Sequence, residues 1–438
     1  MTDLGSIKKE KSISMSVPAG QGNTPGLEPL DLGNPTTRIF AIERWLILYT
    51  LKMLDDPAIE IVLWTGETLA GAKAKPRSRL TINDRGALYR LFTNPNLNFG
   101  DLYSQGRLKI DGDFLDFITT TTQAMYTAQL TAGPLKKWIG EILTKAPRAN
   151  TMAGSKKNIY HHYDIGNKFY ELWLDKDYSQ YTCAYFARQD MTLEQAQAAK
   201  LEHVCRKLQI KPGATVVEAG CGWGGLARYM ARHYDVKIRS YNISHEQIIY
   251  ARERAKAEGL DGNIEYIEDD YRNIEGKYDA FVSIGMLEHV GAENYSGLGR
   301  VITRCLKESG IGLVHSIGRN RPALMNPWIE KRIFPGAYPP ALKEMMNIFE
   351  SNELSVLDVE NLRLHYARTL EHWLERYEKN VPVMEKMFDD NFIRAWRLYL
   401  VGSIATFNIG ELQLYQILFS RNQNNKIPQT RDHIYRQA

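Results

Sequence analysis

The stretch Val216-Val217-Glu218-Ala219-Gly220-Cys221-Gly222-Trp223-Gly224-Gly225-Leu226-Ala227 constrains this chain more than any other. Residues 215–218 are short, β-branched and uncharged until the end, as a strand buried in a parallel sheet should be. The run then breaks into glycines at 220, 222, 224 and 225 and resumes as a helix. Glycine removes the side chain where the backbone turns tightly and lets a ligand approach it closely. A bare G-x-G-x-x-G has two readings, a nucleotide-type cradle or close strand-to-helix packing, so the choice of ligand falls to the residues that follow.

A dinucleotide fold places an acidic residue about twenty positions on, at the end of the second strand. Residues 236–242 end instead in Ser240, Tyr241 and Asn242, which offer hydroxyl and amide groups, and this disfavours NAD. Ser244 and Gln247 have capping-box spacing and open the next helix. The third strand, 264–267, ends in Glu268-Asp269-Asp270, and the fourth, 279–284, runs into Gly285-Met286-Leu287-Glu288-His289. Acidic groups at those strand ends suit an adenine amino group and a cationic ligand, which favours S-adenosylmethionine.

At 438 residues, 44% hydrophobic and 24% charged, the chain is long enough for two or more domains with their own cores. A net charge of +4 does not call for nucleic acid, while a local basic face remains able to meet an anionic membrane. The four cysteines, 183, 205, 221 and 305, contain no C-x-x-C pair, so neither a disulfide framework nor a zinc site is indicated, and a reducing, cytoplasmic compartment fits best. Residues 1–35 are rich in Gly, Pro, Ser and Lys without an apolar core and read as a flexible tail, not a signal peptide. The most apolar stretch, 45–51, is far shorter than the roughly twenty residues a bilayer span needs. A soluble or surface-lying protein is expected.

Residues 36–143 read as a small α+β domain. Apolar residues fall at helical spacing over 36–54, strand-like pieces cover 59–69 and 79–82, and helical patterning covers 87–92 and 115–125; Phe99-Gly100-Asp101-Leu102-Tyr103 reads as turn-rich. The basic loop Lys73-Ala74-Lys75-Pro76-Arg77-Ser78-Arg79 is either a solvated hairpin tip or a contact for anionic lipid head groups, at about 1 kcal/mol per basic residue near the surface. Residues 144–157 have the composition of a linker.

Aromatics and imidazoles crowd the segment before the glycine-rich turn: Tyr160, His161, His162, Tyr163, Phe169, Tyr170, Trp173, Tyr181, Tyr185 and Phe186. Each alone reads as core; together they suggest a lid. Thr192 and Gln195 form a second possible capping box, opening a helix over 193–208.

Six motifs in order carry a specific resemblance: Tyr163-Asp164-Ile165-Gly166-Asn167, Tyr181-Thr182-Cys183-Ala184-Tyr185-Phe186, Glu218 to Gly225, Asp270-Tyr271-Arg272, Gly285 to Gly291, and His315-Ser316-Ile317-Gly318. The chain resembles the cyclopropane fatty acid synthase family and the related mycolic acid cyclopropane synthases over about 158–421, with a weaker match over 99–117. The resemblance implies a Rossmann-like class I S-adenosylmethionine-dependent methyltransferase fold, an α/β architecture with a seven-stranded mixed sheet, beside a smaller N-terminal α+β domain. The strands 356–362 and 412–419, with helices over 367–409 between them, would complete that sheet. The organisation expected is a tail (1–35), a lipid-engaging domain (36–143), a linker (144–157), a catalytic domain (158–421) and a mobile tail (422–438).

The implied reaction is methylene addition across a cis double bond of an unsaturated phospholipid acyl chain, at the cytoplasmic face of a bilayer that the protein touches peripherally; a homodimer is what the family suggests. An alkene is a poor nucleophile, so positioning in a dry pocket must supply much of the barrier reduction. Aromatic faces stabilise the carbocation-like centre that follows. A bound bicarbonate is the implied base, held by the backbone amide of Cys183 and the side chains of Glu288, His315 and Tyr366. Each has a structural reading of its own: His315 as a satisfied core or edge histidine, Glu288 as a cap, Tyr366 as packing with a wet hydroxyl.

For S-adenosylmethionine the resemblance implies Tyr181 and Thr182 at the methionine end, Gly220 and Gly222 at the turn, Asn242 and Gln247 near the ribose, Asp269 near the adenine amino group and Ile284 under the ring. Gln247 is equally explained by its capping position. Thr182 stands where serine is usual, and Asn242 where threonine or a similar residue is usual. The long excursion 319–340 mixes cationic and aromatic residues and is expected to cover the lipid. A product with a methyl or methylene branch is the alternative, because product choice depends on where the proton is lost; a non-catalytic lipid-binding protein and a nucleic-acid methyltransferase are the other classes weighed.

Overall fold

Four short strands, β1 (Ile59–Leu63), β2 (Thr68–Ala70), β3 (Ser78–Ile82) and β4 (Leu108–Asp111), form a sheet in the order β2-β1-β3-β4. In it β1 and β3 run parallel, and β2 and β4 flank them antiparallel. The computed structural model describes residues 38–73, 75–130 and 165–435. The expected tail 1–35 and linker 144–157, and the residues before Ile165 in the first aromatic motif, lie outside these. Around the small sheet sit the helices Ala41–Met53, Arg85–Thr93, Pro95–Ser104 and Phe114–Leu130. The turn expected at 99–103 is helix: Asn94 caps it by accepting the Leu97 amide, and Pro95 occupies the first turn, where no donor is missed. Gly100 looked like a breaker, but it is there because the Trp328 ring packs against its bare backbone.

The larger sheet holds β5 (Thr215–Ala219), β6 (Lys237–Asn242), β7 (Ile264–Glu268), β8 (Tyr278–Ile284), β9 (Leu306–Arg319), β10 (Leu354–Asn361) and β11 (Leu412–Arg421) in the order β10-β11-β9-β8-β5-β6-β7. Strands β7, β6, β5, β8 and β9 are parallel; β11 is inserted antiparallel between β9 and β10. The chain leaves β5 for β6 on one side and returns through β8 on the other, so β5 marks a switch point, and the carboxyl ends of these strands open a crevice there. Helices Leu193–Lys207, Gly225–Tyr234, His245–Ala257, Tyr295–Cys305, Arg363–Met384 and Asp390–Asn408 surround the sheet. The Thr192 and Gln195 capping box forms as expected, with both reciprocal hydrogen bonds present.

The described part of the aromatic segment read as a lid packs into the core. Phe169, Tyr170 and Trp173 are buried, and Phe169 meets Trp173, Tyr377, Phe388, Phe392 and Trp396 edge to face. Offset and edge contacts of this kind add about 0.5–1.5 kcal/mol per pair beyond area burial. The segment expected as a mobile tail packs at its described end, where Ile434 is buried and Arg431 pairs with Asp358. Among the described residues no helix is long and apolar enough to cross a membrane, and the four cysteines are free and buried.

Candidate active site

Three left-handed glycines shape the turn after β5: Gly220 (φ +85°), Gly222 (φ +51°) and Gly224 (φ +75°). The amides of Gly220 and Cys221 both donate to the Tyr241 carbonyl, which ties the turn to the end of β6. The glycines divide the work. A side chain on Gly222 would enter open space, so its bare backbone faces a cavity; side chains on Gly224 and Gly225 would overlap Tyr266 and the Tyr178 carbonyl, so those two serve packing.

The cavity is lined by Tyr181, Thr182, Gly220, Gly222, Asn242, Gln247, Asp269 and Ile284, all eight residues expected around the cofactor. Asn242 is a scaffold as much as a liner: its Nδ2 donates to the Gly222 carbonyl and to Gln247 Oε1, and its Oδ1 accepts the Ser244 amide. Gln247 thereby does two jobs, its amide capped by Ser244 Oγ and its side chain held by Asn242. Asp269 accepts from the Asp270 amide and from Asn273 Nδ2, which fixes its carboxylate at the end of β7. Tyr181 forms both wall and core: its hydroxyl meets that of Tyr399 at 2.9 Å and its ring touches Tyr170, Trp173 and Trp373.

Other liners were not singled out from sequence. Glu218 accepts from Ser240 Oγ at 2.8 Å, and burial pushes its carboxyl up to about 7. His289 also lines the cavity, its imidazole pushed down by burial to about 4. Lys200, fully buried behind the wall, donates to Thr182 Oγ1 at 2.9 Å and to Gln180 Oε1; burial draws its ammonium down to about 8 against the pull of Asp175, Cys183 and Glu218. The clue to Glu218 was the acid closing an apolar strand; nothing local marked Lys200.

The candidate catalytic residues Cys183, Glu288, His315 and Tyr366 are not among the cavity liners, though Cys183 follows Thr182, Glu288 precedes His289 and His315 pairs with Ile284, all three of which line it. Glu288 accepts the Ile317 amide on Oε1 at 2.6 Å, while its buried Oε2 has no hydrogen-bond partner, and burial pushes the carboxyl up to about 7. His315 pairs in register with Ile284, a cavity liner, and its carbonyl accepts the Gly285 amide. Its Nδ1 lies 3.1 Å from Gln416 Nε2, and its buried Nε2 has no partner. Cys183 Sγ reaches the Leu362 carbonyl at 3.8 Å, and that residue caps the helix carrying Tyr366; burial pushes the thiol up, away from nucleophilic use. The Leu362 amide donates to the Leu414 carbonyl, and Leu414 pairs with Ile317, the residue that holds Glu288. Backbone contacts thus link Cys183 in its loop, the helix that carries Tyr366, His315 within β9 and Glu288 in the turn after β8.

The excursion 319–340, expected to cover the lipid, is anchored to the body of the protein at Trp328, Arg332 and Ala337–Pro340 and exposed between, Leu324 among its exposed residues. Arg332 is spent on Asp101, Trp328 packs on Gly100, and the Tyr338 amide donates to the Glu288 carbonyl. Among the described residues no group of acidic, histidine and cysteine side chains has the arrangement of a metal site.

Comparison with known proteins agrees with this geometry. The family described as mycolic acid cyclopropane synthetase matches residues 151–417. A probable fatty acid methyltransferase of Pseudomonas putida is 33% identical over 401 residues, covering 88% of this chain and 98% of that one. The cyclopropane-fatty-acyl-phospholipid synthase of Escherichia coli K12 is 41% identical over 265 residues, 60% of this chain and 68% of that one. Among solved structures, a mycolic acid cyclopropane synthase complexed with SAH and CTAB superposes with a TM-score of 0.58 at 28% identity, covering 61% of this chain and 98% of that one. The seven-stranded mixed sheet is the one found in class I S-adenosylmethionine-dependent methyltransferases.

Proposed function

Given that this chain belongs to the mycolic acid cyclopropane synthetase family of S-adenosylmethionine-dependent enzymes, we propose that it is a cyclopropane-fatty-acyl-phospholipid synthase acting on cis-unsaturated acyl chains. The carrying observation is a pair of buried, unpartnered polar atoms, Glu288 Oε2 and His315 Nε2, on residues adjoining the liners of a cavity suited to the cofactor. Buried polar groups are nearly always satisfied, so two orphans, one within β9 and one in the turn hydrogen-bonded to β9 at Ile317, mark a place for a small polar ligand.

The residues fit S-adenosylmethionine. Gly220 and Gly222 leave the backbone bare, Asp269 presents an acceptor for an amino group, Ile284 offers an apolar ring platform, and Tyr181 with Thr182 closes the methionine end. When bound, this cofactor supplies an electrophilic methyl group. Tyr181 lines the cavity and would offer a face to a developing cation, while Trp173 and Trp373, packed against it and fully buried, back that wall against water. The orphan pair fits bicarbonate, which supplies a base for the final proton. His315 Nε2 would hold the anion by donating, and Glu288, with its carboxyl near neutrality at about 7, would share the anion's proton. The Cys183 amide and Tyr366 hydroxyl would complete the set. Peripheral contact with a bilayer and dimerisation belong to the same proposal.

A methyl- or methylene-branched product is the second reading, favoured by the near full-length match to a protein named as a probable fatty acid methyltransferase. Incubation with S-adenosylmethionine and cis-unsaturated phospholipid vesicles, with and without bicarbonate, separates the two. One added CH₂ with ring protons in the NMR spectrum, dependent on bicarbonate, is the expected result. Vinyl or branched-methyl signals would move the assignment to the second reading, and an unchanged lipid would discard the substrate.

A further inference from the structure

A row of side chains crosses the larger sheet at one level. Glu360 on β10 pairs in register with Gln416 on β11, Gln416 with His315 on β9, and His315 with Ile284 on β8, which lines the cavity. Lys207, from the end of the Leu193–Lys207 helix, lies across the first two members: its Nζ is 2.5 Å from Glu360 Oε2 and 2.8 Å from Gln416 Oε1. Glu360 also meets His203 Nε2 at 2.7 Å. Lys207 and Gln416 are 0% exposed and His315 is 1% exposed, so these three are shut off from water, while Glu360 at the far end of the row is 19% exposed.

An ammonium has only donors. Lys207 therefore turns the carbonyl end of the Gln416 amide toward itself, which leaves the NH₂ end facing His315 Nδ1 at 3.1 Å. A donor opposite Nδ1 makes that nitrogen the acceptor, and the single hydrogen of the neutral ring then sits on Nε2, the atom with no partner. We propose that Lys207 and Gln416 are positioning residues that hold His315 as a neutral imidazole with its hydrogen on Nε2, presented as a donor to the anion site.

The electrostatics agree. Burial and the charges of Lys200 and Lys207 push the His315 imidazole well below its ordinary value, with Glu360 and His203 the other charged or titratable groups acting on it. Burial alone would raise the Glu360 carboxyl, but the hydrogen bond from His203 and the charge of Lys207 hold it at about 2, so a carboxylate remains to keep Lys207 charged. Doubly protonated His315 would set an Nδ1 hydrogen against the Gln416 NH₂ group. The row thus favours a donor and disfavours a cation at the same atom.

This deepens the anion-site reading, and only its turnover arm rests on that reading. The test is a long-range ¹H–¹⁵N spectrum of full-length protein labelled with ¹⁵N-histidine, His315 being assigned by its loss in His315→Gln. The wild-type protein should show a protonated Nε2 and an unprotonated Nδ1 throughout pH 6 to 9. Gln416→Glu keeps size and the Lys207 contact but puts an acceptor opposite Nδ1, so the hydrogen should move there. Methyl transfer from S-adenosylmethionine should then fall about a hundredfold, with KM for the cofactor unchanged. Lys207→Met, which frees the amide to rotate, should give a mixture of both tautomers. A wild-type spectrum with Nδ1 protonated, or a Gln416→Glu protein with wild-type turnover, overturns the proposal. The spectrum needs neither lipid nor bicarbonate, so loss of the bicarbonate reading would leave the tautomer result standing.

Discussion

Arg332 and Asp101 face each other through two parallel hydrogen bonds of 2.9 and 2.8 Å, with side chains only 4% and 3% exposed. One partner belongs to the strap that follows β9 and the other to the Pro95–Ser104 helix, so the pair pins the smaller sheet's helices to the catalytic core. Phe334, next along the strap, reaches the rings of His289 and Tyr399, which adjoin the cavity.

A buried ion pair broken on one side leaves an uncompensated charge and costs about 3–5 kcal/mol. Arg332→Met should therefore lower the denaturation midpoint markedly, while Arg332→Met combined with Asp101→Leu should recover most of the loss. Gly100→Ala should be destabilising on its own, since the added methyl would overlap the Trp328 ring. Chemical denaturation of the three variants checks this, and an Arg332→Met protein as stable as the double variant would refute it.

The glycine turn predicts a split between stability and binding. Gly225→Ala places a methyl against the Tyr178 carbonyl and should impair folding. Gly222→Ala meets nothing but open space, and its φ of +51° carries a left-handed strain of about 1–2 kcal/mol. It should fold, and its affinity for S-adenosylhomocysteine should drop because the methyl occupies the cavity. Calorimetric titration alongside thermal melts distinguishes the two substitutions; equal effects on both properties would contradict the division of labour.

That Gly220, Asn242, Asp269 and Ile284 line one cavity was legible because they sit at the ends of successive parallel strands, where a local pattern of apolar run and polar stop reports position in the sheet. Phe99-Gly100-Asp101 misled for the opposite reason: the glycine answers a tertiary demand from Trp328, more than two hundred residues away, which no local propensity records. The same holds for Arg332, whose charge is met by Asp101 from a distant stretch of the chain. Lys207, Gln416 and Glu360 come from three distant stretches, and only the insertion of β11 between β9 and β10 brings them into one row. The aromatics of residues 169–173 were readable as core or lid, and burial decided for core.

Glu218 and Glu288 each have a carboxyl pushed up to about 7 by burial. In the unfolded chain both ionise near 4.3, so between about pH 4.3 and 7 the unfolded state binds fewer protons than the folded one. Stability from these groups is fully present below about 4.3 and is lost as pH rises through 7, by about 4 kcal/mol for each. Glu288→Gln keeps an acceptor for the Ile317 amide and removes one such penalty. The variant should match or fall below wild type at pH 5 and gain on it by pH 8. Urea titrations at the two values measure the difference, and a pH-independent offset would show that Glu288 is not held protonated by its surroundings.

Lys200 offers the sharpest test of how the wall of the cavity is built. It is buried completely, and its Nζ holds both Gln180 and Thr182, two residues that line the cavity from the segment before the glycine turn. Burial has already drawn its ammonium down to about 8, so the charge is retained at a cost that only these partners and the nearby acids offset. Lys200→Met keeps the apolar stem and removes the head, leaving the Thr182 hydroxyl and Gln180 amide without their anchor. The Leu193–Lys207 helix, capped by Thr192 at its other end, should persist, whereas affinity for S-adenosylhomocysteine should fall about tenfold, the equivalent of one charge-assisted hydrogen bond. Circular dichroism and calorimetric titration of the variant give both readouts. Unchanged affinity in a folded protein would mean that the segment from Gln180 to Thr182 holds its shape through the aromatic packing of Tyr181 alone.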